Sequence, residues 1–360
     1  MLRVAVIGGG LAGLTVAFRR QALGDEVVVF EAAARLGGQL HSERSAGFLI
    51  EHGAEGFTAG SQALPKLAFD VGIGDSLTEQ LTTRSYGFDA NGLRLLGPGE
   101  AAQFLGFQVA RDDLGRGIRA FTTGMQAIIE ALTVALDGRV ELHLDDPVRA
   151  LEATGAHWRV HPRASSARDF DAVVLTTSSA AAATLLEDAF GASARQLGAA
   201  STLSSLTVSL AYTRDQVQHP LDATGFVVAG DQQQHGFRAC TFSSSKFAGR
   251  APESHVLLRA FFRPPPGELT GLTDATWVQR AHTALDAALS VQGQPRRAWI
   301  SRWANALPLF DAPHLACIRT LEAELLGTRI ALAGSAFHGS GIDAAVRSAE
   351  AAASSSATFG

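Results

Sequence analysis

Gly8, Gly10, Gly13 and Glu31 are the residues whose types and spacing could do chemistry at the start of this chain, and that chemistry is dinucleotide binding. The three glycines form G-x-G-x-x-G directly after the apolar run 4–7. In such a pattern the first glycine permits a tight turn, the second lets a pyrophosphate approach the backbone, and the third lets a helix pack closely on the strand. The start of that helix offers unbonded N–H groups and the positive end of a dipole to phosphates. Glu31 closes the next apolar run, Val27-Val28-Val29-Phe30, where an acid binds ribose hydroxyls. An acid there argues against a 2′-phosphate, so the pattern points to FAD or NAD and not to NADP.

The elements that must hold these residues are a strand, a glycine turn, a helix and a second strand, a βαβ unit ending near residue 40. A strand with a glycine turn comes next at 47–57 and a helix at 61–71, with Leu64, Leu67, Ala68 and Val71 on one face. Short strands at 84–88 and 93–96 flank Asn91-Gly92, a hairpin signal. Residues 98–120 are ambiguous. A helix is expected over 122–136 with Thr123 as its N-cap. Strands at 140–144, 147–153, 158–161 and 171–177 precede a helix at 178–190. From 203 to 262 the chain turns β-rich, with runs at 203–212, 225–228, 237–242 and 255–262 that read as a mostly antiparallel sheet. Helices at 272–289, 315–326 and 342–353 and strands at 298–303 and 329–333 complete the pattern.

The residues just after Glu31 narrow the cofactor. Arg35, Gly37 and Gly38 complete Glu-x-x-x-Arg-x-Gly-Gly, which resembles the extension found in the amine oxidase, protoporphyrinogen oxidase and phytoene desaturase superfamily of FAD enzymes. The resemblance implies FAD, with Arg35, Gly37 and Gly38 along the pyrophosphate and ribityl chain. It implies that the turn at Gly53 returns toward the flavin and that the backbone at Val148 meets the adenine. The C-terminal stretch Leu332-Ala-Gly334 through Gly341-Ile342 resembles the superfamily's second flavin loop and helix. Gly334 would let the backbone approach the ribityl and phosphate atoms. The helix opened by Gly341 and Ile342 would turn its positive end to the flavin N1–C2=O edge and favour hydride acceptance.

Three stretches resemble protoporphyrinogen and coproporphyrinogen oxidases more than amine oxidases: 225–262, Trp303 through Leu315, and the C-terminal loop. The reaction implied is hydride transfer from a porphyrinogen to flavin N5, with oxygen re-oxidising the flavin to give hydrogen peroxide. The flavin carries the redox chemistry, so no catalytic acid or base is required of the protein. A second strand-linked dinucleotide motif for a nicotinamide is not seen, which favours oxygen or a quinone as acceptor. Porphyrinogens carry propionates, so a cation at the pocket is expected. Arg84 loosely matches the family's propionate arginine, with Lys246 and Arg250 as second candidates. Phe226, with Phe48, Phe57 and Phe242, is a candidate for an apolar wall. His52 and His338 lie beside the flavin loops and read as hydrogen-bonding loop residues.

The interval from Glu51 to Thr123 is far shorter than in typical members, and the missing part corresponds to most of a helical domain. Trimming would leave the flavin face open to water unless another subunit covers it, which is the reason to consider a homo-oligomer. The fold class expected is α/β: a Rossmann-like FAD-binding domain interwoven with a smaller, mostly antiparallel β-sheet substrate domain. Residues 1–60, 122–200 and 328–360 are assigned to the first, and 61–121 and 201–327 to the second.

Composition agrees with such a protein. Of 360 residues, 46% are hydrophobic and 18% charged, as in a globular chain. A net charge of −5 gives no reason to expect nucleic acid. No window is long and apolar enough for a transmembrane helix, and no signal peptide is read before the first strand. Cys240 and Cys317 lack metal-ligand spacing and read as reduced, buried thiols; no metal is expected, and the location expected is cytoplasmic. Two rival readings keep the flavin. One is oxidation of an amine, a reduced nicotinamide or a biosynthetic intermediate, and the other is a non-catalytic flavoprotein or tetrapyrrole carrier.

Overall fold

The apolar run at the N-terminus becomes Arg3–Ile7, the central strand of a five-stranded parallel sheet. Its neighbours are Glu26–Phe30 and Ala172–Leu175, with Glu141–His143 and Ile330–Leu332 at the edges. Continuous apolar strands are what a sheet covered on both faces requires. Val4, Val6, Val27 and Val29 point into one core with the helices Leu11–Ala22, Ala127–Leu136 and Ile342–Ala353. Ala5, Ile7, Val28 and Phe30 point into the other, with Ser179–Gly198 and Ala312–Leu325. This is the doubly wound arrangement expected of a Rossmann-like domain. The structure is a computed structural model that describes residues 1–97, 100–101 and 116–360. Residues 98–99 and 102–115 of the ambiguous stretch lie outside it.

The second sheet has seven strands in the order Arg297–Pro308, Thr202–Thr213, His255–Phe262, Phe237–Phe242, Gly225–Val228, Tyr86–Asp89, Gly92–Leu95. Its pairs are antiparallel except Gly225–Val228 with Tyr86–Asp89. Side chains alternate between the faces of a strand, and here the two faces differ sharply in chemistry. Leu206, Val208, Leu210 and Tyr212 pack with Leu258, Phe262 and Trp277 under the helix Asp274–Leu289. The other face carries Thr207, Ser209, Arg259 and Ser301, all buried. It meets the segment Phe48–Glu51 through Phe48, Ile50, Ala211 and Leu257.

Several local expectations change. Thr123 does not cap a helix: Gly124 takes φ +105°, a turn intervenes, and the helix begins at Ala127 with Gln126 before it. The helix after Ser178 does not stop near residue 190 but bends at Gly191 (φ 28°) and runs to Gly198. Ser42–Ser45 is a strand although Ser-Glu-Arg-Ser has no apolar alternation; it is recruited by pairing with Phe48–Glu51. Residues 63–70 form the helix Ala63–Asp70, whose Leu64, Leu67 and Ala68 join the core of the parallel sheet.

Candidate flavin and substrate site

The turn between Arg3–Ile7 and Leu11–Ala22 is tight for a steric reason. A Cβ on Gly13 would lie 1.9 Å from the Gly8 carbonyl oxygen, so the helix can sit this close only with glycine there. Gly10 is a different case. A Cβ on Gly10 would meet, among the described residues, only Gly38 Cα at 4.0 Å. Packing does not demand glycine at this position; the space over its backbone is a cradle that a side chain would fill. The helix has no side-chain cap among the described residues, so its first N–H groups are left for an anion.

Glu31 is oriented by the same turn. Its Oε2 accepts from the Gly9 N–H at 2.6 Å and its Oε1 from the Ala33 N–H at 2.8 Å. A carboxylate has about four acceptor sites, so capacity for two vicinal hydroxyls remains. The Asp146 N–H donates to the Glu31 carbonyl at 3.0 Å, which brings the start of Val148–Thr154, and with it half-buried Val148, to this corner. Gly37 donates to the Gly9 carbonyl at 2.8 Å and bridges Gly10. Arg35 folds over its own loop, donating to the carbonyls of Gly38 at 2.7 Å and Leu36 at 3.2 Å. Burial lowers the Arg35 pKa from its ordinary value and Glu31 offsets part of that.

The loop then leads to the second sheet. The Gln39 carbonyl accepts from the Ala54 N–H at 3.4 Å, and the His52 N–H donates to the His41 carbonyl at 2.8 Å. A Cβ on Gly53 would lie 1.7 Å from the Gln39 carbonyl oxygen, so the two segments touch only because residue 53 is glycine. From the polar face of the seven-stranded sheet, Trp303 Nε1 donates to the His52 carbonyl at 2.8 Å and Arg259 to the Gly53 carbonyl at 2.5 Å. Hydrogen bonds and contacts thus run unbroken from Gly9 and Gly10 through Gly37 and Gly38 to Gly53 and the sheet face.

Gly334 closes the other side. A Cβ there would sit 3.3 Å from Ala12 Cβ, against the first turn of the N-terminal helix, and its N–H donates to Ser348 Oγ at 2.7 Å. Gly341 precedes Ile342–Ala353, which also lacks a side-chain cap among the described residues. Asp343 in its first turn is committed elsewhere, accepting from the Leu64 N–H at 2.9 Å and from Arg347 at 2.8 Å. An uncapped helix start over an open glycine cradle, a doubly held acid at the next strand end and a second glycine loop fit a dinucleotide of the FAD type.

The expected substrate residues are placed otherwise. Phe226 is 2% exposed and packs edge-on against Phe237 and Phe242 in the core under Asp274–Leu289, on the face turned away from the glycine loops. Phe242 shares that core, and Phe48 and Phe57 are buried in others. Arg84 is an exposed residue paired with Asp222 at 2.8 Å, and Tyr86 on the same strand edge also donates to Asp222. Lys246 is spent on buried Glu55 at 3.0 Å, and Arg250, 1% exposed, on buried Glu51 at 3.0 Å. Burial pushes the Glu55 carboxyl up, but Lys246, Arg259 and the Ser243 hydroxyl outweigh it and hold the pKa at about 2. These cations are engaged by carboxylates of the segment 51–55. His338 pairs with Glu322 at 2.6 Å.

Arg259, Ser301 and Trp303 at the junction were not singled out as site residues by sequence reasoning. A signal was present: Thr207 and Ser209 alternate with Leu206, Val208 and Leu210, the period-two mark of a strand with one polar face. That both faces of the sheet would be buried could not be read from the period.

Comparison with known proteins agrees with this architecture. The NAD(P)-binding Rossmann-like domain family matches residues 6–68, and the family described as flavin containing amine oxidoreductase matches residues 82–355. A coproporphyrinogen III oxidase of Propionibacterium freudenreichii subsp. freudenreichii is 34% identical over 230 residues, which is 62% of this chain and 42% of that protein. The coproporphyrinogen III oxidase of Bacillus subtilis (strain 168) is 22% identical over an alignment of 464 positions covering 99% of this chain and 98% of the relative. That alignment is longer than this chain, so the relative carries insertions that this chain lacks. A crystal structure from Exiguobacterium sp. 255-15, named for protoporphyrinogen oxidase, superposes with a TM-score of 0.84 at 23% identity, over 98% of this chain and 97% of the other. Cyclohexylamine oxidase from Brevibacterium oxydans IH-35A shares the fold at a TM-score of 0.76, with 14% identity and 98% of each chain covered. With most of its length matched by that family and a Rossmann-like turn at its start, the chain is a compact member of the flavin-containing amine oxidoreductases, an FAD-dependent oxidoreductase.

Proposed function

We propose that this protein oxidises a porphyrinogen, removing hydride at a bound FAD whose reoxidation is by oxygen. The observation that carries the reading is the continuous seam from the Gly10 cradle to Gly53 and the polar sheet face. It is supported by the names of the coproporphyrinogen III oxidases that the chain resembles. When bound, the flavin supplies hydride acceptance at N5. Gly10 cradles the pyrophosphate in the turn that Gly8 and Gly13 make possible, Glu31 takes the ribose hydroxyls, and the backbone at Val148 borders the adenine. Arg35, Gly37, Gly38 and Gly334 follow the pyrophosphate and ribityl chain. Gly53 and the helix start at Gly341 and Ile342 approach the ring.

The substrate would approach the ring from the side of the seven-stranded sheet that reaches the glycine loops through Arg259 and Trp303. Residues 1–60, 122–200 and 328–360 act as the cofactor domain, and 61–121 and 201–327 as the substrate domain. Among the described residues no helix is long and apolar enough to cross a membrane.

The test is anaerobic mixing of the FAD-loaded protein with coproporphyrinogen III and, separately, protoporphyrinogen IX while flavin absorbance is followed. Bleaching is expected, faster with the preferred substrate. A flavin that stays yellow with both would overturn the porphyrinogen reading, and amines and reduced nicotinamides would be tried next.

A further inference from the structure

Three groups at the seam form a hydrogen-bonded line from the buried sheet face to solvent. Ser301 Oγ lies 2.8 Å from His52 Nδ1, and His52 Nε2 lies 2.8 Å from Glu43 Oε2. Ser301 is 8% exposed, the His52 side chain 13% and the Glu43 side chain 40%, so the line leads outward. Donor and acceptor types set its polarity. A carboxylate only accepts, so the neutral imidazole carries its hydrogen on Nε2, toward Glu43. Nδ1 is then an acceptor and takes the Ser301 hydroxyl hydrogen. A base turned inward, with its far nitrogen held by a carboxylate, is the arrangement that moves a proton through an imidazole.

The surroundings hold this geometry. Trp303 and Arg259 pin the backbone carbonyls of His52 and Gly53. The His41 ring stacks on His52 at 4.5 Å. Burial and then the Arg35 cation push the His41 pKa down, which disfavours a second positive charge beside His52. Among the described residues, Glu43 bonds the His52 ring, His41 stacks on it and Arg259 reaches its carbonyl, while the Arg35 cation acts on His41. Thr207, the cross-strand neighbour of Ser301, has a buried hydroxyl with no partner among the described residues, so the inner end of the line adjoins unused hydrogen-bonding capacity.

We propose that Ser301, His52 and Glu43 are a proton relay between the redox site and solvent. This rests on the proposed flavin site. Oxidation of a substrate X–H with an adjacent N–H removes two electrons and two protons: hydride goes to the cofactor and one proton must leave. Ser301 Oγ takes that proton as its own passes to His52 Nδ1, and the Nε2 proton passes to Glu43 and then to water. Re-oxidation runs the line inward. Oxygen takes two electrons and two protons to become hydrogen peroxide, one proton from the reduced cofactor and one from solvent.

The re-oxidation half tests the relay without any porphyrinogen. FAD-loaded protein is reduced, freed of reductant and mixed with oxygen, or with a soluble quinone if oxygen is slow, in weak buffer containing a pH-indicator dye. In the wild type, proton uptake keeps pace with the return of yellow colour. In Glu43→Gln, Ser301→Ala and His52→Gln, proton uptake should slow by about tenfold or more, with a larger solvent isotope effect and unchanged FAD content. A second readout uses the FAD-free protein. The imidazole ¹⁵N shifts of His52 should report a hydrogen on Nε2 and should move in both Glu43→Gln and Ser301→Ala. Wild-type uptake rates in all three variants overturn the relay. So does slowing confined to His52→Gln together with a lower melting temperature, which would mark a structural histidine. Failure to bleach with porphyrinogens would sink the substrate reading and leave this measurement standing.

Discussion

Lys246 Nζ lies 3.0 Å from Glu55 Oε2, with the two side chains 14% and 8% exposed, so a residue expected at a substrate pocket instead neutralises a buried carboxylate between the two sheets. Ser243 also donates to Glu55, at 2.7 Å. The Glu55 pKa of about 2 stands below its ordinary value of 4.5. A carboxyl whose folded pKa is depressed contributes stability above its unfolded pKa and loses it as pH falls toward the folded one. The contribution is roughly 3 kcal/mol, present above about pH 5 and fading toward pH 2. Urea midpoints from pH 7 to 3 should fall, and Glu55→Gln should flatten that fall. Glu55→Gln should itself lower stability at pH 7 by about 3–5 kcal/mol, because Lys246 is left buried without its partner.

Gly10 and Gly13 should separate binding from folding. Gly13→Ala forces a Cβ into the Gly8 carbonyl and should distort the turn, lowering the melting temperature of even the FAD-free protein. Gly10→Ala meets only Gly38 Cα at 4.0 Å, an ordinary contact without a clash, and should leave that melting temperature within about 2 °C, a small shift by the scaling for chains of this size. Its FAD affinity should fall by about tenfold or more, since the methyl occupies the cradle. Calorimetric titration with FAD reads this. Equal affinity in Gly10→Ala and the wild type would remove the pyrophosphate from that position.

Glu51 and Arg250 are a second buried pair, with Glu51 also accepting from Ser42 Oγ at 2.6 Å and the Met125 N–H at 2.9 Å. Arg250→Met should destabilise the protein by about 3–5 kcal/mol in guanidinium unfolding, because it strands a buried carboxylate. The double variant with Glu51→Leu should recover part of the loss, the sign of a pair whose desolvation nearly cancels its attraction. A double variant worse than the sum of the singles would contradict this.

Arg84 and Phe226 should behave in opposite ways. Arg84→Ala removes an exposed pair with Asp222 and should change stability by no more than about 0.5 kcal/mol. It should leave KM for any substrate of the protein unaltered. Phe226→Ala opens a hole among Phe88, Phe237 and Phe242 and should cost about 3–5 kcal/mol. Steady-state kinetics and denaturant midpoints on the two variants distinguish a pocket residue from a core residue. A selective rise in KM for Arg84→Ala would return that residue to the site.

The parallel sheet and its glycine turn were legible in the sequence, because the signals that specify them are local. An apolar run, G-x-G-x-x-G, a helix and a terminal acid lie within forty residues, and the packing at Gly13 needs no partner from afar. The strands 225–228, 237–242 and 255–262 and the closing helix 342–353 were likewise set by period and by flanking glycine or proline. Only the tertiary structure decided which face of each strand is turned to the site and which charges are already paired. The period-two pattern states that Phe226 and Val227 point opposite ways and does not state which way is inward. Lys246 and Arg250 read as available cations until the fold brings Glu55 and Glu51 to them from almost two hundred residues away. The line from Ser301 through His52 to Glu43 is longer still, with Ser301 and His52 249 residues apart along the chain. Alternation and turn chemistry act between neighbours, whereas pairing across an interface depends on how two sheets dock, and that belongs to the whole molecule.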